Sequence, residues 1–407
     1  MKRVRTMAAL TTSVVALMAA AACGGHESTS GSDGTTFQLA AVADFTGPAS
    51  GLGKTYTNMI KMSVDDINKA GGFTVNGKKV TFKLTTVDHQ SNPSVAVTEV
   101  RKLMDNPGIK LLLGDTTTVA QALQPVLTPR KIPMVWLGSD PSVIQAGGGN
   151  YFGVLPGPND RASLLGQYLS QNGITKAAII AEDSGYGNAY AKEFNTTLPT
   201  FGIDVTGTEK FPADGTDFTT PLTSLRKGDP QAIIMLTFPK AGGLIAKQAR
   251  ELRFTGDIVS DGTAASGSDF VSSGGSAVDG VITLDYGTDP LYQDKTTQEV
   301  TSRFQEEYGF APASVGLYYY EYPQLIAKAL SDAGTLTDEA KIREAISKAS
   351  VDGIAGHIQF VTQAGGRVPA NQALPVLSIV TWKGDGSRVK GSTWTRDPQS
   401  GDWSEAK

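Results

Sequence analysis

The nearest approach to a catalytic signature in the sequence is Gly47-Pro48-Ala49-Ser50-Gly51-Leu52-Gly53-Lys54-Thr55, placed between a strand-like and a helix-like stretch as a nucleotide-phosphate loop would be. Such a loop curls successive backbone amides around phosphates and needs a glycine five positions before the glycine of Gly-Lys-Thr. Pro48 holds that position, and proline has no amide hydrogen to offer. A glycine-rich turn at the rim of a cleft is therefore expected, with ATP binding ranked far below it. There is no Gly-x-Ser-x-Gly elbow. His89 follows Val87-Asp88 in a polar turn and reads as a solvated loop residue rather than a base, while His357 opens a strand with no Ser or Asp partner motif in view. Hydrolysis has no identifiable nucleophile, so an enzyme is not expected. The single cysteine, Cys23, excludes a disulfide within the chain, and His26, His89 and His357 lack the spacing of a His/Cys zinc cluster. Neither a metal nor a cofactor is expected.

Binding chemistry is better represented. Six strand ends run into polar or glycine-bearing turns, where open α/β sheets hold ligands. They are Asp44 to Pro48, Gly114 to Thr118, Gly138-Ser139-Asp140-Pro141, Asp183-Ser184-Gly185-Tyr186-Gly187, Thr237-Phe238-Pro239 and Ser260-Asp261-Gly262-Thr263. Thr117 and Thr118, at the start of a helical stretch, offer hydroxyls and free amides to a small carboxylate, although one threonine there can simply cap the helix. Asp261 can face a cation or serve as an ordinary turn aspartate. Within Tyr318-Tyr319-Tyr320-Glu321-Tyr322, alternate tyrosines are expected to pack a helix against its sheet, with one of the four available to a ligand.

The elements that must position these residues alternate. Phe37 to Ala43 has the length of a buried parallel strand, and Tyr56, Met59, Ile60, Ser63 and Ile67 then share one helix face that stops at Gly71-Gly72. Asn76-Gly77 signals a hairpin into Lys78 to Val87, and Asn92-Pro93 opens a further helix. The rhythm restarts at Asp160, with strands expected at Ala177 to Ala181, Ile203 to Lys210, Ala232 to Thr237, Ile258 to Ser260 and Val281 to Leu284. Helical patterns return at Thr296 to Glu307, Tyr318 to Leu330 and Glu339 to Ser347, followed by strand-like Ile358 to Val361 and Val376 to Trp382. Two successive alternating sets imply an α/β protein with two doubly wound parallel-sheet lobes. The 407 residues suit two or so domains at ~150 residues each. With 36 Lys and Arg against 40 Asp and Glu, a net charge of −4 and no basic run beyond the first few residues, a nucleic-acid surface is not expected.

The first residues read as an address. Lys2, Arg3 and Arg5 precede the uncharged stretch Thr6 to Ala22, too short and too rich in hydroxyls for a spanning helix but suited to a signal peptide over residues 1–22. Ala20-Ala21-Ala22-Cys23-Gly24-Gly25 resembles a bacterial lipoprotein cleavage site that would leave Cys23 lipidated. Ala20 stands where such sites usually carry Leu, so cleavage by an ordinary signal peptidase, giving a secreted or periplasmic protein, stays open. Residues 23–36 are dominated by Gly, Ser and Thr and read as a flexible tether.

Phe37 to Gly53, Ala70-Gly71-Gly72, Thr86-Val87-Asp88, Gly114 to Thr118, Ile132-Pro133-Met134, Asp183 to Gly187 and Lys247-Gln248-Ala249-Arg250 follow one another in an order that resembles the solute-binding proteins of ABC importers for branched-chain amino acids, amides and urea. The resemblance runs from about Phe37 to Trp382. It implies a periplasmic binding protein type I fold with three hinge crossings: lobe 1 from 37–156 plus 288–350, lobe 2 from 157–287 plus 351–383, and an irregular tail over 384–407. It implies a protein, expected to be a monomer, that closes on a branched-chain-like amino acid or a related small amide solute and delivers it to ABC permease subunits. A sensory receptor subunit of the same fold is the alternative, and a secreted hydrolase ranks third. By the same resemblance, Thr118 would hold the ligand carboxylate, Ser139 and Asp140 would help hold the α-amino and α-carboxyl groups, and Asp261 would face the ammonium. Leu52, Tyr186 and Phe238 would form pocket walls. Asp140 departs from the family's threonine and would either favour a second positive group or cap a helix at Pro141.

Overall fold

The computed structural model describes residues 35–47, 49–138, 140–286, 295–361, 370–373, 376–397 and 400–406. The signal stretch, Cys23 and Ser139 lie outside the described residues. The first lobe is built on β1 (Thr35–Ala43), α1 (Ser50–Lys69), β2 (Phe73–Val75), β3 (Lys78–Asp88), α2 (Pro93–Leu103), β4 (Ile109–Gly114), α3 (Thr117–Leu127), β5 (Met134–Trp136), α4 (Pro141–Ala146) and β6 (Tyr151–Gly153). Its sheet runs β2-β3-β1-β4-β5-β6 and is parallel except for the antiparallel β2-β3 hairpin. Central strands such as β4 are apolar on both faces because helices cover both sides. The glycine-rich turn ahead of α1 answers to packing: a Cβ at Gly53 would stand 1.8 Å from the Asp44 carbonyl oxygen. Asn92 caps α2 by accepting from Ser94 N at 2.9 Å, with Pro93 in the first position, as its sequence signals.

The second lobe comprises α5 (Pro158–Gln171), β7 (Lys176–Glu182), α6 (Gly185–Thr197), β8 (Asp204–Phe211), α7 (Thr219–Arg226), β9 (Ala232–Leu236), α8 (Pro239–Glu251), β10 (Asp257–Ser260), α9 (Gly267–Gly274) and β11 (Ile282–Asp285). The chain then supplies α10 (Lys295–Tyr308), α11 (Leu317–Ala333) and α12 (Glu339–Lys348), and α10 and α11 pack on α1 in the first lobe. It returns through the hairpin of β12 (Ser350–Gly353) and β13 (Gly356–Gln359) to β14 (Leu377–Trp382). The helices α10 and α11 thus join the first lobe, and β14 joins the sheet of the second, from a later stretch of chain.

The tail differs from expectation. Instead of an irregular segment, β15 (Arg388–Arg396) and β16 (Trp403–Glu405) extend the second sheet to the order β16-β15-β14-β11-β10-β9-β7-β8. Its last four strands in the chain, β11 to β16 by way of β14 and β15, pair antiparallel. The tail is held by two buried tryptophans, Trp394 and Trp403, and by Arg396, whose Nη1 pairs with Asp160 beside the chain's entry into the second lobe. Trp403 Nε1 also donates to Ser163 Oγ at 3.0 Å.

Candidate ligand-binding site

The carboxyl ends of both sheets converge on a cavity between the lobes, at the place where open α/β sheets hold ligands. Leu52 and Tyr56 on α1, Thr116 and Thr117 at the start of α3, and Leu137 line it from the first lobe. Arg161 on α5, Tyr186 and Tyr190 on α6, Phe238 ahead of α8, and Thr263 line it from the second. Leu155 and Tyr286 wall it from the connections between lobes. The lobes are closed on each other. A Cβ at Gly185, the first residue of α6, would stand 2.5 Å from Gln121 Oε1 and 3.2 Å from Thr118 Cα on α3. Nearer the mouth, α1 packs on α9, and a Cβ at Gly51 would meet Asp269 Oδ2 at 1.9 Å.

Of the residues expected at the site, Leu52, Thr117, Tyr186 and Phe238 line this cavity. Thr116 is the helix cap, accepting from Val119 N at 3.4 Å, which leaves Thr117 to face the cavity. Thr118 points into a neighbouring space shared with His89, Asp183 and Ser184. Asp140 takes the capping alternative: its Oδ1 accepts from Ser142 N at 2.8 Å and Ser142 Oγ at 2.6 Å, and it is not among the lining residues of the cavity. None of the tyrosines of the 318–322 cluster lines the cavity either. Tyr318, Tyr319 and Tyr322 are buried, and Tyr319 stacks behind Tyr56 with ring centroids 4.0 Å apart.

Asp261 is engaged by the protein itself. Its Oδ2 accepts from Arg161 Nη1 at 2.8 Å and from the Tyr186 hydroxyl at 2.7 Å, and its Oδ1 accepts from Thr263 N at 3.1 Å. The guanidinium of Arg161 lies 4.9 Å from the Tyr190 ring centroid and 5.1 Å from that of Tyr286. Burial works against its charge, but the neighbouring Tyr190, Tyr286 and Asp261 outweigh burial and raise its pKa. Burial pushes the hydroxyls of Tyr186, Tyr190 and Tyr286 upward, so they remain neutral donors. Arg161 was not expected from the sequence; the available signal is a lone cation at 161 on the buried face that continues through Leu165 and Leu169.

His89 also corrects its sequence reading as a solvated loop residue. It is fully buried, and its Nε2 lies 2.9 and 3.0 Å from the two carboxylate oxygens of Asp115, which lines the cavity. Burial opposes its charge, yet the Asp115 carboxylate prevails and lifts its pKa to about 9. Asp44 completes the cluster: burial, then Asp115, drives its carboxyl up to about 8, against the Ser91 Oγ donor at 2.6 Å. Donor and acceptor atoms of Asp44, His89 and Asp115 lie within 4.8 Å of one another; His89 Nε2 pairs with Asp115, while Asp44 Oδ1 and His89 Nδ1 have no hydrogen-bond partner among the described residues. His357 does have partners: its Nδ1 pairs with Asp352 at 2.6 Å and its Nε2 lies 3.5 Å from Ser350 Oγ. All of this sits on the β12-β13 hairpin, and none of these residues lines the cavity.

Two α/β lobes closed over a cavity that both of them line define a binding protein of the two-lobed, type I kind. Residues 36–386 match the periplasmic binding protein family, and the chain belongs to that family. The Leu/Ile/Val-binding protein BraC3 of Rhizobium johnstonii is 27% identical over 244 residues, 59% of this chain and 65% of that protein, so the match spans just under two thirds of its length. A leucine-binding protein of Thermotoga maritima superposes with a TM-score of 0.76 at 22% identity, over 88% of this chain and 98% of that one. A solute-binding protein of an ABC transporter from Rhodopseudomonas palustris, in complex with benzoate, superposes with a TM-score of 0.75 at 17% identity, over 87% and 95%. These homologues are binding proteins, and the chain is one of them rather than an enzyme. No described helix is long and apolar enough to cross a membrane.

Proposed function

We propose that the protein is an extracytoplasmic solute-binding protein that encloses a small, amino-acid-like or related carboxylate solute between its lobes and delivers it to ABC permease subunits. The carrying observation is the cavity itself, which both lobes line and which the start of α3 and the buried Arg161 furnish with donors for an anion. The relatives' binding of leucine, isoleucine and valine, as their names give it, supports the solute size and class. Anchoring through a lipidated Cys23, with residues 24–36 as a tether, fits capture at the surface of a bacterial membrane. A monomer suffices, since one chain supplies both walls of the cavity.

A thermal-shift screen against amino acids, amides, urea and aromatic acids tests the solute-binding role. A ligand at 100 times its Kd should add ~2.7 kcal/mol of stability by mass action. Stabilisation by some of these solutes, abolished when both walls are altered, is expected. Absence of any stabilisation across the screen would contradict the proposal. Acyl mass on Cys23, and its loss in Cys23→Ser, tests the anchor independently.

A further inference from the structure

The charges around the cavity do not suit a zwitterion, and the following rests on the solute-binding role proposed above. Two carboxylates stand at or just behind the cavity wall, and each already has a cation. Asp261 is bonded to Arg161 and Tyr186. Asp115 is bonded to His89 through both oxygens, and it also accepts from Asp44 N at 3.1 Å and from Thr116 N at 2.5 Å. Asp44, next in line, is held toward its neutral form by burial and by Asp115. The further acids nearby face other spaces: Asp140 caps α4, Asp269 sits at the cleft mouth, and Glu182 accepts from Thr237 Oγ1 at 3.2 Å. The negative faces of Tyr190 and Tyr286 could attract an ammonium, but the Arg161 guanidinium lies over both rings.

An incoming carboxylate fares differently. Arg161 uses Nε on the Pro156 carbonyl oxygen and Nη1 on Asp261 and Thr263, while Nη2 makes no hydrogen bond among the described residues. The amides that open α3 add a positive field from the opposite lobe. The remaining walls are apolar or aromatic, with Tyr56, Tyr186 and Phe238 prominent; the Tyr186 and Phe238 rings lie 5.6 Å apart.

We infer that the solute is a carboxylate without an α-ammonium group, carrying an aromatic or comparably flat apolar body. Its carboxylate is gripped by Arg161 from one lobe and the start of α3 from the other, and its body fills the aromatic walls. Selectivity against amino acids follows because an ammonium buried there would lack an unpaired counter-charge.

The test is titration calorimetry on the protein with matched solutes: phenylalanine against 3-phenylpropanoate, leucine against 4-methylpentanoate, and benzamide against benzoate. Each carboxylate lacking the ammonium is expected to bind at least tenfold more tightly than its amino acid, and benzoate more tightly than benzamide. Asp261→Asn frees a donor of Arg161 and is expected to hold or strengthen carboxylate binding. Arg161→Lys, which keeps the charge if Arg161→Gln does not fold, is expected to narrow the benzoate-to-benzamide gap without closing it. Tighter binding of phenylalanine or leucine than of its deaminated partner, or loss of amino-acid binding in Asp261→Asn, would overturn the inference and leave the solute-binding role intact. Binding by amides alone would do the same. Failure of all six to bind would overturn it too, and the broad screen above then decides the solute-binding role separately.

Discussion

Arg161 Nη1 and Asp261 Oδ2 stand 2.8 Å apart, with side chains only 2% and 0% exposed, and this pair joins the start of α5 to the turn after β10 directly behind the ligand cavity. It fixes the second lobe's wall and sets the charge balance of the site at once. Breaking a buried pair from one side leaves the other charge without water or partner and costs about 3–5 kcal/mol. Arg161→Met should therefore lower unfolding stability by that order, and Arg161→Met with Asp261→Asn should recover a large part of it. Urea denaturation of the two variants checks both statements. Equal losses in the single and the double variant would mean that packing, not the stranded carboxylate, carries the cost.

A second buried pair ties the C-terminal strands to the entry of the second lobe. Arg396 on β15 bonds to Asp160, which also accepts from Gly157 N at 2.8 Å and so caps α5. Arg396→Ala is expected to cost about 3–5 kcal/mol, because Asp160 loses its cation in a site closed to solvent. The same substitution at an exposed pair such as Lys102 with Glu99 should cost under about 1 kcal/mol. Denaturation midpoints at matched slopes measure the contrast.

The Asp44-His89-Asp115 cluster gives a pH dependence with a definite sign. Asp44 is raised from 3.8 to about 8 and His89 from 6.5 to about 9, so the folded protein binds more protons than the unfolded chain across this range. Stability is then fully present below the unfolded values and falls as pH rises through about 8 and 9. Asp44→Asn, which imitates the protonated acid, should flatten that decline. Urea midpoints at intervals from pH 6 to pH 9.5 measure it, and a wild-type protein that gains stability over that interval would contradict the assignment.

Much of this architecture is legible in the sequence, and the exceptions share a cause. The helix face Tyr56, Met59, Ile60, Ser63 and Ile67 is buried throughout, and the apolar runs at Ile109 to Leu113 and Ala232 to Leu236 are central strands, because burial on both sides writes itself into consecutive residues. The turns at strand ends carry Leu52, Thr117, Tyr186 and Phe238 to one cavity for the same topological reason. What stayed hidden depends on partners distant in the chain. Arg161 meets Asp261 100 residues later, and His89 meets Asp115 26 residues later, so neither partner is legible in local pattern. β15 reads as irregular because it lies next to the sheet's edge with mostly polar residues, and only Trp394 and Arg396 within it are buried.

Closure should be separable from folding. Gly185 meets α3 across the cleft, and a larger side chain there has to push α6 and α3 apart. Gly185→Leu is expected to weaken solute binding by more than tenfold while shifting solute-free unfolding by under about 1 kcal/mol, since the clash exists only between closed lobes. Calorimetry and denaturation of the one variant give both numbers. A stability loss matching the affinity loss would place the clash inside a lobe.

The central claim, that solute is captured by closing two lobes around it, is tested most directly by small-angle scattering of the protein with and without a solute identified in the screen. The account predicts a smaller radius of gyration at saturation in the wild type, because binding favours the state in which both lobes touch the solute, and a larger radius retained by Gly185→Leu. An unchanged wild-type radius at calorimetrically confirmed saturation would contradict it.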